Sequence, residues 1–255
     1  MVTNNVAKLC IAMLVVVVFI TFPVNAEESY QTETTFCPDT PITTVAQLVA
    51  FRDAVNAGNG FADQTITLGA DIDLSGIKNW EPIGIRHPRF LFNRFFYGTF
   101  DGDGYTISNL TIRSVSYNVG LFGVVNNGGV VKNLGVVNAD IEGGFRSGIV
   151  VGFVNNGTIK NVFTTGSITS NQPFLYIGNT VGGVAGRMYD SLLSNSYSTA
   201  VVHGTDGVGG LVGILEQGSV IENSAALNAH GGCPLLMAPP VPANSCKPRQ
   251  AFRYN

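Results

Sequence analysis

The sequence predicts an all-β solenoid, a parallel β-helix closed by a short N-terminal capping helix. Three observations lead there. First, an aliphatic–polar–Asn triplet recurs as Ile107-Ser108-Asn109, Val131-Lys132-Asn133, Ile159-Lys160-Asn161, Leu193-Ser194-Asn195 and Ile221-Glu222-Asn223. The intervals between its asparagines are 24, 28, 34 and 28 residues, the range of stacked repeats. Second, a glycine landmark precedes the last four copies as VGLFG, GIVVG, VGGVAG and VGGLVG, its final glycine 9 or 10 residues before the Asn. Third, Val, Ile, Thr and Phe fill short runs between Asn-Gly, Gly-Gly and Asp-Gly punctuation, as strands do. No copy holds a helix-length run with apolar residues at i, i+3, i+4 and i+7.

Composition agrees. Of 255 residues 45% are apolar and only 12% charged, and the 31 glycines show no collagen-like triplet period. So few charges leave little material for long solvated helices.

Residues 1–26 read as a secretory signal peptide. Lys8 supplies the basic start, Leu9 to Phe22 form the apolar run, and Val24-Asn25-Ala26 suits a cleavage site. That run is shorter than the ~20 residues a membrane-spanning helix needs, and no other segment reads as a span. The mature chain keeps 13 of the 14 Lys and Arg against 17 Asp and Glu, a net charge of −4. An acidic balance of this size gives no footprint for nucleic acid. Cys37, Cys233 and Cys246 remain in a disulfide-permissive compartment. Cys233 and Cys246 could pair. Three scattered thiols lack metal-ligand spacing, so no metal or cofactor is expected.

Residues 27–40 form an N-terminal extension, and 41–118 the N-terminal cap and first coil. In TTVAQLVAFRDAVNAGNG, Val45, Leu48, Val49, Arg52 and Val55 follow helical spacing. Thr43 or Thr44 can cap its start and Gly58 its end. A helix here would seal the open face of the first coil. QTITLGADIDLSG then supplies the opening strands.

Gly84 to Gly98 is the most distinctive stretch outside the repeats. Arg86, Arg89 and Arg94 alternate with Phe90 and Phe92. Aromatic rings stack on sugars and guanidinium groups grip carboxylates or sulfates, so these five residues are the candidate ligand-binding set. Phe95 to Tyr97 read as a strand entering the core. Asp101 and Asp103 could hold calcium or divide acid and base roles, but Asp-Gly-Asp-Gly is first a turn. His87, His203 and His230 join no catalytic arrangement.

Residues 119–229 carry the repeats. Stacked coils leave no room for side chains at tight corners, and some corners need positive φ; glycine meets both demands. Asn109, Asn133, Asn161, Asn195 and Asn223 are expected to turn inward and form a hydrogen-bonded ladder of buried amides. Asn156-Gly157-Thr158 is a glycosylation acceptor pattern on a turn.

VGGLVG with SVIENS, and VGGVAG with LLSNSYST, resemble the GLUG motif of bacterial surface and secreted proteins. ADIDLSG, NWEPIG and FYGTFDGDGYTISNLTI resemble the segment that precedes such repeats. The likeness spans about residues 41–229. It implies a right-handed β-helix in a surface or adhesion-related setting, and it brings no catalytic residue. Residues 230–255 carry no repeat landmark and read as a Pro-rich tail or irregular cap. The expected function is an exported scaffold or adhesion module, without catalysis, whose partner is a glycan or an extracellular protein. A polysaccharide-active β-helix enzyme is the alternative, by fold-level analogy alone.

Overall fold

The computed structural model describes residues 36–85, 94–170 and 179–228. Residues 1–26, expected as a signal peptide, and Cys233, Cys246 and the tail lie outside these residues.

Among the described residues every strand pairs in parallel with its equivalent one coil away, and the strands form three sheets. The largest runs through Thr65–Thr67, Thr99–Asp101, Val130–Glu142, Thr158–Ser170, Leu192–Ser194 and Val220–Glu222, with shorter strands beside this path. The second stacks Phe122–Asn126, Val151–Asn155, Ala185–Tyr189 and Val212–Glu216. The third stacks Asn118–Val119, Arg146–Gly148, Thr180–Gly182 and Gly207–Gly209. This is the expected all-β parallel β-helix. The longer third repeat interval is absorbed between Ser170 and Asn179, since residues on either side regain register with their neighbours.

Register turns each repeat position into a column. Ile66, Phe100, Val131, Ile159 and Leu193 stack in one apolar file, each fully buried, and Ile221 continues it. Val125, Val154 and Met188 form a second, with Leu215 above.

The glycines of VGGVAG and VGGLVG serve close approach. None of them takes a positive φ. A Cβ on Gly182 would strike the Ala185 carbonyl, and one on Gly186 would lie 2.5 Å from the Ser147 nitrogen. The left-handed positions fall mainly to asparagine, which tolerates them best after glycine.

Helix α1 spans Val45–Ala57. Thr44 is its N-cap, in a reciprocal capping box with Gln47, and Gly58 ends it in a left-handed conformation. Leu48, Phe51 and Val55 are its fully buried face. Phe51 stacks on Phe100 at 5.7 Å and meets Phe96 edge-on at 5.6 Å. The helix therefore packs on the aromatic interior of the first coils.

Candidate functional site

The arginine-rich loop is described only at its end. Arg86, Arg89, Phe90 and Phe92 lie outside the described residues. Arg94 is tied to the cap: its Nη1 donates to the Asn56 carbonyl near the C-terminus of α1, where a cation is favoured. Asn56 is buried and also binds Pro82 and Gly84. Arg94 thus has a structural duty that its spacing among aromatics did not reveal. Phe96 is fully buried and forms an isolated bridge with Val125, while Phe95 and Tyr97 are half-buried, so one residue of the expected 95–97 strand enters the core.

The asparagine column exists, but three features differ from expectation, the first being that among the described residues no side-chain hydrogen bond joins Asn195 or Asn223 to the asparagine below. Register places Asn133, Asn161, Asn195 and Asn223 above one another. They face outward: Asn161, Asn195 and Asn223 are exposed and Asn133 half-buried. In a regular strand Val131 and Asn133 would share a face. The left-handed φ of each Asn, between 47° and 54°, breaks the alternation and swings the amide out. Asn109 belongs to a different column. It lies beneath Asn138, whose Nδ2 donates to Asn109 Oδ1 at 2.6 Å. Val136-Val137-Asn138 lacks the polar middle residue of the triplet, so the match by pattern chose the wrong corner.

Both columns run the same way and end on a carboxylate. Asn161 donates to Asn133 at 2.8 Å, and Asn133 to Asp101 at 2.9 Å. Asn138 donates to Asn109, and Asn109 to Asp73 at 2.7 Å. An amide that passes its donor down the stack needs an acceptor at the bottom, and an ionised carboxylate is a pure acceptor. Burial pushes the Asp101 carboxyl up. The Lys132 ammonium at 2.9 Å, the Asp103 N–H and the Asn133 amide outweigh burial and hold it below its usual range. The Asn109 amide, with Ser75, likewise lowers Asp73. Asp101 and Asp103 thus form a turn and a ladder terminus. Asp71 is similarly occupied, accepting from the Thr106 N–H and hydroxyl. Among the described residues no three His, Cys, Asp or Glu side chains converge as metal ligands would.

One outward feature escaped the sequence reading. Two residues after the column asparagine, Phe163 and Tyr197 stack on the outer face with centroids 5.4 Å apart and planes 11° from parallel. Two further on stand Thr165 and Thr199. Successive coils thus repeat Asn–x–aromatic–x–Thr, as NVFTT and NSYST. Gly135 lies in the same file one coil below, Ala225 one coil above. The Phe163 ring packs over Gly135, where a Cβ would strike it, and beside it lies a shallow cleft of about 340 Å³ bounded by Asp103, Asn133, Asn161 and Phe163. The signal was legible, since both pentapeptides begin on a column asparagine.

No family model matches the chain. Halomucin of Haloquadratum walsbyi is 38% identical over 171 residues, which are 62% of this chain and 2% of halomucin. A protein of Evansella cellulosilytica, provisionally named a Gly-rich membrane protein, is 34% identical over 125 residues, 48% of this chain and 14% of that one. The chain therefore spans a small fraction of these relatives. Among solved structures, a Bacteroides ovatus protein provisionally named an immunoglobulin A1 protease superposes with a TM-score of 0.52 at 22% identity. The match covers 76% of this chain and 68% of that one, and it carries the fold alone. Among the described residues no helix is long and apolar enough to cross a membrane.

Proposed function

We propose that the chain is an exported, GLUG-type β-solenoid scaffold or adhesion module, located in the secreted or cell-surface fraction, that binds a glycan or extracellular protein without catalysis. The observation that carries this reading is where the charged groups are spent. Asp101 holds Lys132 and Asn133, Asp73 holds Asn109, Arg113 pairs with Asp140 at 2.5 Å, and Arg187 pairs with Glu216. Each of these contacts joins one coil to the next, so the polar chemistry reinforces a stack and leaves its outer rows for contact. Similarity to halomucin and to a protein named for a membrane supports a surface setting.

The test is an array of glycans and extracellular-matrix proteins probed with residues 27–255, beside an Arg86→Ala/Arg89→Ala variant. Saturable binding to at least one class, with no release of reducing ends from any glycan, is the expected result. Silence across the array, or turnover of a polysaccharide, would contradict the proposal.

A further inference from the structure

The rows of Asn, aromatic and Thr described above lie outside the buried core, on the outer face of the stack. We propose that the cleft beside Phe163, extended along the axis by Tyr197, is a binding site for an uncharged glycan. This rests on the binding-scaffold reading and assigns it a place and a ligand class.

The ligand class follows from the groups present. Tyr197 is 42% exposed and Phe163 half-buried, so aromatic surface is offered to solvent on two consecutive coils. A sugar ring carries C–H groups on its faces and hydroxyls at its rim; it needs an aromatic surface flanked by groups that both donate and accept. Those flanks exist. Asn161 spends its Nδ2 on Asn133, and its Oδ1 makes no hydrogen bond among the described residues. The Asp103 carboxylate is exposed, and the described residues give it neither a hydrogen bond nor an ion pair. It could accept two neighbouring hydroxyls. On the far side of the rings Thr165 Oγ1 accepts from the Asn138 N–H and Thr199 Oγ1 donates to the Thr164 carbonyl, which leaves the first a donor and the second an acceptor.

Charge selects against acidic sugars. Lys132 is neutralised by Asp101 at 2.9 Å, and the charge that lines the cleft itself is the Asp103 carboxylate. A uronic or sulfated ligand seated in the cleft would meet that like charge. The repeat also fits a polymer. Equivalent groups recur on two coils at the ~4.8 Å spacing of adjacent strands, so two neighbouring sugars lying along the axis would each meet an Asn, an aromatic and a Thr.

The experiment is calorimetric titration of residues 27–255 with cello-, chito-, xylo- and mannohexaose. The variants are Phe163→Leu, Tyr197→Ala and Asp103→Asn; the last keeps a residue suited to the left-handed backbone at 103 (φ 49°). Circular dichroism and the melting temperature establish that each is folded. At least one hexaose should bind, and each aromatic change should weaken it about two- to tenfold. Asp103→Asn should weaken it by about tenfold. Binding that survives all three changes in a folded protein overturns the cleft and leaves the scaffold reading intact. The same separation follows if matrix proteins bind the array while no hexaose does. Tighter binding of a sulfated or uronic oligosaccharide than of every hexaose would overturn the ligand class.

Discussion

The two ends of the stack are built from similar strands and finish differently. At the amino-terminal end α1 lies over the first coils, and Ile66 and Phe100 beneath it are fully buried. At the carboxyl-terminal end the described residues stop on a coil whose own core positions are partly open. Val181 is fully buried, whereas Val208, its register partner in the last coil, is 39% exposed. Leu215 and Ile221 are only half-buried, although Met188 and Leu193 below them are sealed. VGGVAG and VGGLVG are nearly the same sequence, yet Val184 and Ala185 of the first are fully buried while Leu211 and Val212 of the second keep 8% and 9% exposure and Val208 opens. Burial here is a property of having a neighbour on both sides, which is the nearest-neighbour energetics of a solenoid.

The comparison can be broken most forcefully at the cap. Phe51→Ala removes the ring that joins α1 to Phe96 and Phe100, and should cost about 3–5 kcal/mol in urea unfolding. A loss no larger than that of an exposed substitution would mean that the helix is an ornament. Next comes a matched pair within one column. Ile159→Ala should cost about 2–5 kcal/mol; Ile221→Ala, its half-buried equivalent in the last described coil, about 1 kcal/mol or less. Equal losses would show that the last coil is sealed after all. Smaller again is Thr44→Ala, which breaks the capping box and should cost about 1 kcal/mol, with the change confined to the N-terminal end.

Acid sharpens the same contrast, because both ladder-ending carboxylates belong to the first coils. Asp73 and Asp101 are held below their unfolded-state values, so each contributes stability in full above about pH 4. That contribution is lost as pH falls through the lower, folded-state value. Asp101→Asn should therefore lower the neutral plateau and flatten the acid limb of a stability–pH curve, its stability converging on that of the parent chain at low pH. A curve of unchanged shape would remove Asp101 from the account.

Much of this molecule was legible beforehand, and the reasons are specific. The apolar–polar–Asn triplet and the glycine landmark report stacking directly, because equivalent residues touch equivalent residues. Thr44, Gln47 and Gly58 declare the ends of α1 by local chemistry. The facing of the asparagines was not legible: Val131 and Asn133 are two apart, and only a φ of 53° reverses the expected side. Nor was the true partner of Asn109, because Val136-Val137-Asn138 hides the corner inside an apolar run. Arg94 was read as a ligand-binding group, since nothing in its neighbours announces a bond to a carbonyl 38 residues earlier. Phe163 and Tyr197 were overlooked because each, taken singly, is an ordinary strand aromatic; register alone makes them a pair.

The most direct test of the stacked account, with α1 over the first coils, is residue-resolved amide hydrogen exchange on residues 27–255. Opening free energies should be greatest across Val130–Glu142 and Thr158–Ser170, stay high down to Thr65–Thr67 beneath α1, and fall through Gly207–Gly209 and Val220–Glu222. Protection that is equal at both ends, or lowest beneath the helix, would contradict it.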